Sequence, residues 1–169
     1  MNLTIDKNQL LETLQKVQSI VGQRTTLPIL SNVMLEALNG KLTLTTTDME
    51  VSLQTSIDAD ISKEGVTTLP ARRFFSICRD LPSHQVELSL EEGENGSETV
   101  KIISGSFKGK LGGLSKNDFP PMPVFEENCS YTLGQGILKD ILQKTSYAAS
   151  TDESRAILNG SLMSFRDGK

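Results

Sequence analysis

The chain has no tryptophan, two tyrosines, one histidine and two cysteines among 169 residues. Cys78 and Cys129 are too few for a disulfide framework and have no metal-ligand spacing, so no metal is expected. His84 stands alone in a polar loop beside Pro82-Ser83, with no serine or cysteine at a spacing that suggests a catalytic pair. No apolar run is long enough to cross a bilayer. The opening Met1-Asn2-Leu3-Thr4-Ile5-Asp6 lacks the basic and apolar regions of a secretion signal, and the expected location is a reducing cytoplasm. Asn95-Gly96-Ser97 then reads as a turn rather than a glycosylation acceptor.

What the chain does have is an internal repeat. Residues 2–41 recur without a gap 128 positions later, at 130–169. Nine of the forty pairs are identical, among them Thr4/Thr132, Leu10/Leu138, Leu14/Leu142, Lys16/Lys144 and Leu30/Leu158. Others are conservative, such as Glu12/Asp140. Repeated units usually stack or form pseudo-symmetric arrays. The expected organisation is one whole unit over 1–124 and the start of a second, truncated, over 125–169. The two copies are expected to superpose as strand–helix–strand.

Periodicity fills in the first unit. Leu10, Leu14, Val17 and Val21 recur at helical spacing over Asn8–Val21, with Asp6 or Asn8 as cap. Strands are expected over 3–5, over 33–38 and 41–46, about the hairpin signal Asn39-Gly40, and over 49–57 and 65–69. A helix over Ala71–Asp80 opens after Pro70 and stops before Pro82, burying Phe74, Phe75, Ile77, Cys78 and Leu81. Strands over 86–90, 99–103 and 106–114 follow, and the proline-rich Asp118–Pro123 reads as a linker. A third helix is expected over Gln135–Tyr147. Two helices among about eight short antiparallel strands make the class α+β.

The net charge of −4 conceals a division. Residues 7–24 and 71–80 each carry +2 and residues 135–147 carry +1, leaving −9 for the rest. Basic helices on an acidic body can hold a polyanion, because the local field outweighs the total. Arg72, Arg73, Ser76 and Arg79 form one wet stripe, and Lys7 with Lys16 and Lys139 with Lys144 supply others. No aromatic residues interleave and no base-reading pair is present, so such a surface would hold phosphates without regard to sequence. Other motifs are weaker. Gly105–Lys110 is one residue short of a phosphate-binding loop, and Leu111 stands where a magnesium-binding hydroxyl belongs. Thr47-Asp48-Met49-Glu50 carries two carboxylates, which a capped turn explains as well as a cation would.

Leu27-Pro28-Ile29-Leu30, Thr47-Asp48-Met49-Glu50, Leu69-Pro70-Ala71-Arg72-Arg73-Phe74-Phe75, Ile77-Cys78-Arg79, Asp118-Phe119-Pro120 and Leu158-Asn159-Gly160 together resemble the bacterial beta sliding clamps. These are non-catalytic processivity subunits of DNA polymerase III. The resemblance runs along the whole chain. It implies the DNA-clamp fold, with three similar domains per protein and two copies closing a ring around duplex DNA. It places the two helices on the central hole and needs no cofactor. Arg24 matches a DNA-contacting position, Arg72 is a second expected contact, and Lys7, Lys16, Arg79 and Arg155 join them as candidates. In the loop 151–157, Asp152, Ala156 and Ile157 depart from the family pattern. The ring contact would use Arg73 with Phe107, Lys108 and Leu111; the aromatic of that strand aligns with Gly109, and Phe107 lies nearby. Leu158 matches a wall of the groove that takes polymerase and clamp-loader peptides.

Two rivals stand beside this reading. One is a β-rich binding module without a nucleic-acid role. The other is a small hydrolase using Cys78 or His84, which requires Cys78 to be reactive in the folded protein.

Overall fold

The computed structural model describes residues 1–21, 27–93, 97–122 and 130–165. The chain divides into two compact units, Met1–Pro123 and Val124–Lys169.

In the first unit, β1 (Asn2–Asp6) leads directly into α1 (Lys7–Val17). The Asp6 carboxylate caps α1 by accepting from the backbone N–H groups of Asn8 and Gln9, at 2.9 and 3.0 Å, which settles the choice between Asp6 and Asn8. The helix is regular only to Val17; turns carry the chain on to Val21. Leu10, Leu14, Val17 and Val21 are buried, as their spacing requires.

A short 3-10 segment, Pro28–Ser31, precedes β2 (Asn32–Leu38) and β3 (Lys41–Thr47). Asn39 and Gly40 both have positive φ, 50° and 75°. This is the two-residue turn whose twist matches a hairpin, and it sets Leu38 opposite Lys41. There follow β4 (Ser52–Asp58), β5 (Asp60–Lys63), β6 (Gly65–Pro70), α2 (Ala71–Arg79), β7 (Gln85–Glu92), β8 (Glu98–Ser104) and β9 (Phe107–Gly112). The strands form two antiparallel sheets, in the orders β5-β1-β7-β8-β9 and β4-β3-β2-β6. A bridge between Thr68 and Leu114 joins β6 to the segment after β9. The crossing is so close that a Cβ on Gly113 would stand 2.3 Å from the Thr68 carbonyl oxygen. Only glycine fits there.

Several expectations are corrected. β5 was not foreseen: four residues with a single apolar side chain give almost no alternation to read. Gly105–Lys110, whose spacing already excludes a phosphate loop, spans the β8–β9 turn and the first half of β9. Phe119 does not belong to a free linker. It is buried against Ile29, Leu30 and Met34 in a small satellite core, just after the 3-10 turn Lys116–Asp118. The acidic turn at 94–96 and the end of the proline-rich stretch lie outside the described residues.

One core joins both sheets and both helices, including Leu3 and Ile5 from β1, Val33 and Leu35 from β2, Phe74 and Cys78 from α2, and Val100 and Ile102 from β8. The run Thr45-Thr46-Thr47 is buried as well. Its hydroxyls are satisfied: Thr46 donates to the Val17 carbonyl at the end of α1, at 3.1 Å, and Thr47 accepts from the backbone N–H of Met49.

In the second unit, α3 (Gln135–Ser146) forms where the repeat requires it. The flanking strands do not: residues 130–134 and 161–165 are irregular. The strand–helix–strand equivalence therefore holds for the helix alone. A backbone ladder needs a neighbouring strand to satisfy it, and no strand is present among the described residues of this unit. Tyr131 and Phe165, equivalent by the repeat to Leu3 and Ala37, instead stack ring on ring at 4.3 Å.

Candidate nucleic-acid interface

α2 is strongly two-sided. Ala71, Phe74 and Cys78 are buried, while Arg72, Arg73, Ser76 and Arg79 are exposed together on the opposite face. On α1, Lys16 is exposed and Lys7 half-buried. α1 and α2 both pack against the core, so these faces are turned away from the sheets' buried sides.

The candidate cations differ in what engages them. Lys16 pairs with Glu12 one turn earlier, at 2.8 Å, and Arg79 with its neighbour Asp80, at 3.1 Å. The hydrogen bond from Lys16 lowers the carboxyl pKa of Glu12, and the one to Asp80 raises that of Arg79. All four side chains are well exposed. Such pairs contribute little and exchange readily for a phosphate. Arg72 donates through Nη2 to the Val21 carbonyl at 3.3 Å, and Lys7 donates through Nζ to the Leu81 carbonyl at 2.6 Å. Arg24 lies outside the described residues. Arg155 belongs to the second unit, exposed in an irregular 3-10 stretch, Glu153–Leu158, where its own backbone is non-helical (φ −119°, ψ 59°).

The proposed ring-contact residues lie along β9, one edge of the five-stranded sheet. Phe107 and Lys108 are exposed there, and Arg73 is exposed on α2. Leu111 lies on the same face of β9 as Phe107, further along the strand. It is 4% exposed and part of the core, so it can offer an edge partner only its backbone. A Cβ on Gly109 would meet the Phe107 ring at 2.8 Å. The ring therefore lies back over Gly109. Leu158 is 49% exposed in the second unit, and its carbonyl accepts from the Ser150 backbone N–H at 2.8 Å.

Catalytic alternatives find no support in this geometry. Cys78 is buried, and burial pushes its thiol pKa up to about 12; a thiol that far from ionisation is a poor nucleophile at neutral pH. Asp48 is engaged in a turn, accepting from the backbone N–H groups of Val51 and Glu50, which hold its pKa below the usual carboxylate value. No group of three or more His, Cys, Asp or Glu among the described residues could hold a metal ion. No described helix is long and apolar enough to cross a membrane.

The stripe on α2 was legible from spacing alone. The internal engagement of Lys7 and Arg72 was not, because each partner carbonyl lies more than fifty residues away.

Comparison with known proteins fits this geometry. A family described as "DNA polymerase III beta subunit, N-terminal domain" matches residues 1–123. The Chlamydia muridarum beta sliding clamp is 38% identical over 168 residues, covering 99% of this chain and 45% of that protein. The Escherichia coli K12 beta sliding clamp is 35% identical over 164 residues, covering 96% and 43%. Among solved structures, the Bartonella birtlesii sliding clamp superposes with a TM-score of 0.87 at 36% identity, over 95% of this chain and 42% of that one. The Bacillus subtilis DNA polymerase sliding clamp does so at 0.85 and 31%, over 93% and 42%. The chain thus spans less than half the length of these relatives. With the matched family extending over the whole two-sheet unit, and the solved clamps sharing its fold, this chain belongs to the DNA polymerase III beta subunit family of sliding clamps.

Proposed function

We propose that this chain acts in DNA replication as part of a processivity factor, a ring that encircles duplex DNA, slides on it and tethers the replicative polymerase. The observation that carries the proposal is the basic, exposed face shared by α1 and α2 on a body that is otherwise acidic. A ring does not need tight contacts, since it is retained by enclosure. Weak, exchangeable cations of the kind seen at Lys16 and Arg79 hold phosphates without fixing register, and that permits sliding.

In this reading Arg24, Arg72, Lys16, Arg79 and Arg155 face the DNA backbone. Arg73, Phe107, Lys108 and the backbone at Leu111 form one side of the contact that closes a homodimeric ring. Residues 1–124 are the first clamp domain and 125–169 begin the second, in which Leu158 contributes one wall of the groove for polymerase III and clamp-loader peptides. The setting is the cytoplasm, and the chain itself makes and breaks no bond.

A chimera tests this. Residues 1–123 replace the matching segment of the Escherichia coli beta sliding clamp, and the ring is loaded onto a nicked circular plasmid. The expected result is retention on the circle and loss when the plasmid is linearised. Equal retention on both forms would mean that binding is by contact rather than by enclosure, and the proposal would fail. Arg72→Ala in the same ring should reduce loading equally on unrelated DNA sequences; a changed sequence preference would contradict a phosphate-facing role.

A further inference from the structure

The ends of α1 and α2 are cross-connected. The Lys7 backbone N–H donates to the His84 carbonyl at 2.7 Å, and the Lys7 ammonium to the Leu81 carbonyl at 2.6 Å. At the other end, the Arg72 guanidinium donates to the Val21 carbonyl at 3.3 Å. The start of each helix therefore meets the segment just beyond the end of the other, so the helices run antiparallel. Val21 and Leu81 lie in the turns that follow the helices, four residues beyond Val17 and two beyond Arg79. Both accepting residues are buried, Leu81 at 3% and Val21 at 4% exposed. The carbonyl of Val17 already has its own partner in Thr46.

We propose that Lys7 and Arg72 form a reciprocal clamp. Each is a positioning residue that holds the turn following the other's helix, and the Lys7 ammonium holds the turn after α2 rather than a phosphate. The clamp fixes the spacing and register of the two basic faces, and so the places from which Lys16 and Arg79 act. That consequence rests on the DNA-facing reading; the clamp itself does not. Arg72 differs from Lys7 in having further N–H groups on its planar fork, which leaves it able to hold Val21 and meet a phosphate together.

Amide hydrogen exchange on the full chain tests the clamp, with residues 18–21 and 78–81 followed separately. Lys7→Gln should raise exchange about fivefold at both segments. Arg72→Gln should do the same, and Lys7→Arg should restore the wild-type pattern. Faster exchange confined to the segment that each side chain touches would show two independent contacts and overturn the reciprocity. No change at either would overturn the clamp. Should Lys7→Gln fail to fold, Arg72→Gln and Lys7→Arg still decide between these outcomes. Duplex-DNA affinity as a function of salt gives a readout that a purely structural role would not move. Lys7→Gln should weaken binding with the slope of log K against log salt unchanged, whereas Lys16→Gln should flatten it by about 0.9, as for one lost phosphate contact. A flatter slope in Lys7→Gln would place the ammonium on DNA and sink the assignment. A wild-type chain that bound no duplex even at low salt would count against the proposed function, and hydrogen exchange would decide the clamp alone.

Discussion

The chain contains the same helical element twice, in two surroundings. α1 and α3 begin at equivalent positions, and both expose a lysine in the last turn, Lys16 and Lys144. The first copy is closed: Leu14 of α1 is fully buried, and Ile29, in the satellite core, is 8% exposed. Their counterparts Leu142 and Ile157 are 38% and 91% exposed. The flanking segments are strands in the first copy and irregular in the second. A helix satisfies its own backbone and forms wherever its local signals are strong enough. A strand needs a partner that lies elsewhere in the chain, so it appears only in the copy that has one.

If that is the difference, the same deletion should cost different amounts in the two copies. Leu14→Ala removes a fully buried side chain and should destabilise the first unit by about 2–5 kcal/mol. Leu142→Ala removes a partly wet one and should cost under about 1 kcal/mol. Denaturant midpoints, with hydrogen exchange to separate the units, would measure both. Equal costs would mean that α3 is packed as tightly as α1, and the contrast would collapse.

Cys78 reports on the closed copy directly. In a Cys129→Ser background, labelling by a thiol reagent at neutral pH should be limited by opening of the first unit, while α3 amides exchange much faster. Prompt labelling of the folded protein would revive the hydrolase reading. The same burial predicts a pH effect. The folded thiol titrates near 12, against an ordinary value of 9. Its contribution to stability is therefore complete below about pH 9 and is lost as pH rises toward 12, because the unfolded thiol ionises first. Cys78→Ala should remove that alkaline slope in thermal melts.

Much of this contrast was legible in the sequence, for a definite reason. The apolar spacing from Leu10 to Val21, the Asn39-Gly40 turn and the stripe from Arg72 to Arg79 are local patterns; the buried face, the turn and the stripe are found where they were expected, although the first helix ends at Val17. What escaped depends on distant residues. The strand over Leu3–Ile5 was expected, but not its partners: β1 lies between β5 and β7, more than fifty residues on, and β5 is too short and polar to announce itself. Phe119 sits among prolines yet fills the gap beside Ile29 and Leu30. At the candidate interface, the spacing identified the cations but not which of them are tied to carbonyls of the other helix.

The helix caps sharpen the comparison at a smaller scale. Asp6 caps α1, and the equivalent position before α3 is Gly134, which has no side chain to cap with. Asp6→Ala should cost about 1 kcal/mol, and Gly134→Asp should stabilise α3 by a few tenths. A Cβ at Gly134 would meet only the end of Ile137, at ordinary contact distance, so the substitution brings no clash. Slower exchange in the first two turns of α3 would be the sign of success. No change would mean that the length of α3, and not its cap, limits its stability.

The smallest effect concerns a feature that the two copies share. Lys16 pairs with Glu12, and Lys144 with Asp140, each one turn apart and each at 2.8 Å. All four side chains are well exposed, so the surroundings that separate Leu14 from Leu142 should not matter here. Double-mutant cycles with Glu12→Gln and Lys16→Gln, and with Asp140→Asn and Lys144→Gln, should give similar couplings of about 0.3–0.5 kcal/mol. Both should shrink in high salt. A coupling above about 1 kcal/mol in α1 alone would mean that the first unit's packing reaches its wet face, against the separation of a packed side from an exchangeable one. Glu12→Gln also gives this separation a functional test. It removes the partner of Lys16 at little expected cost to the fold, and should strengthen duplex binding at low salt if Lys16 faces phosphate. Unchanged binding would leave the ion pair as a surface feature of the helix and remove Lys16 from the candidate interface.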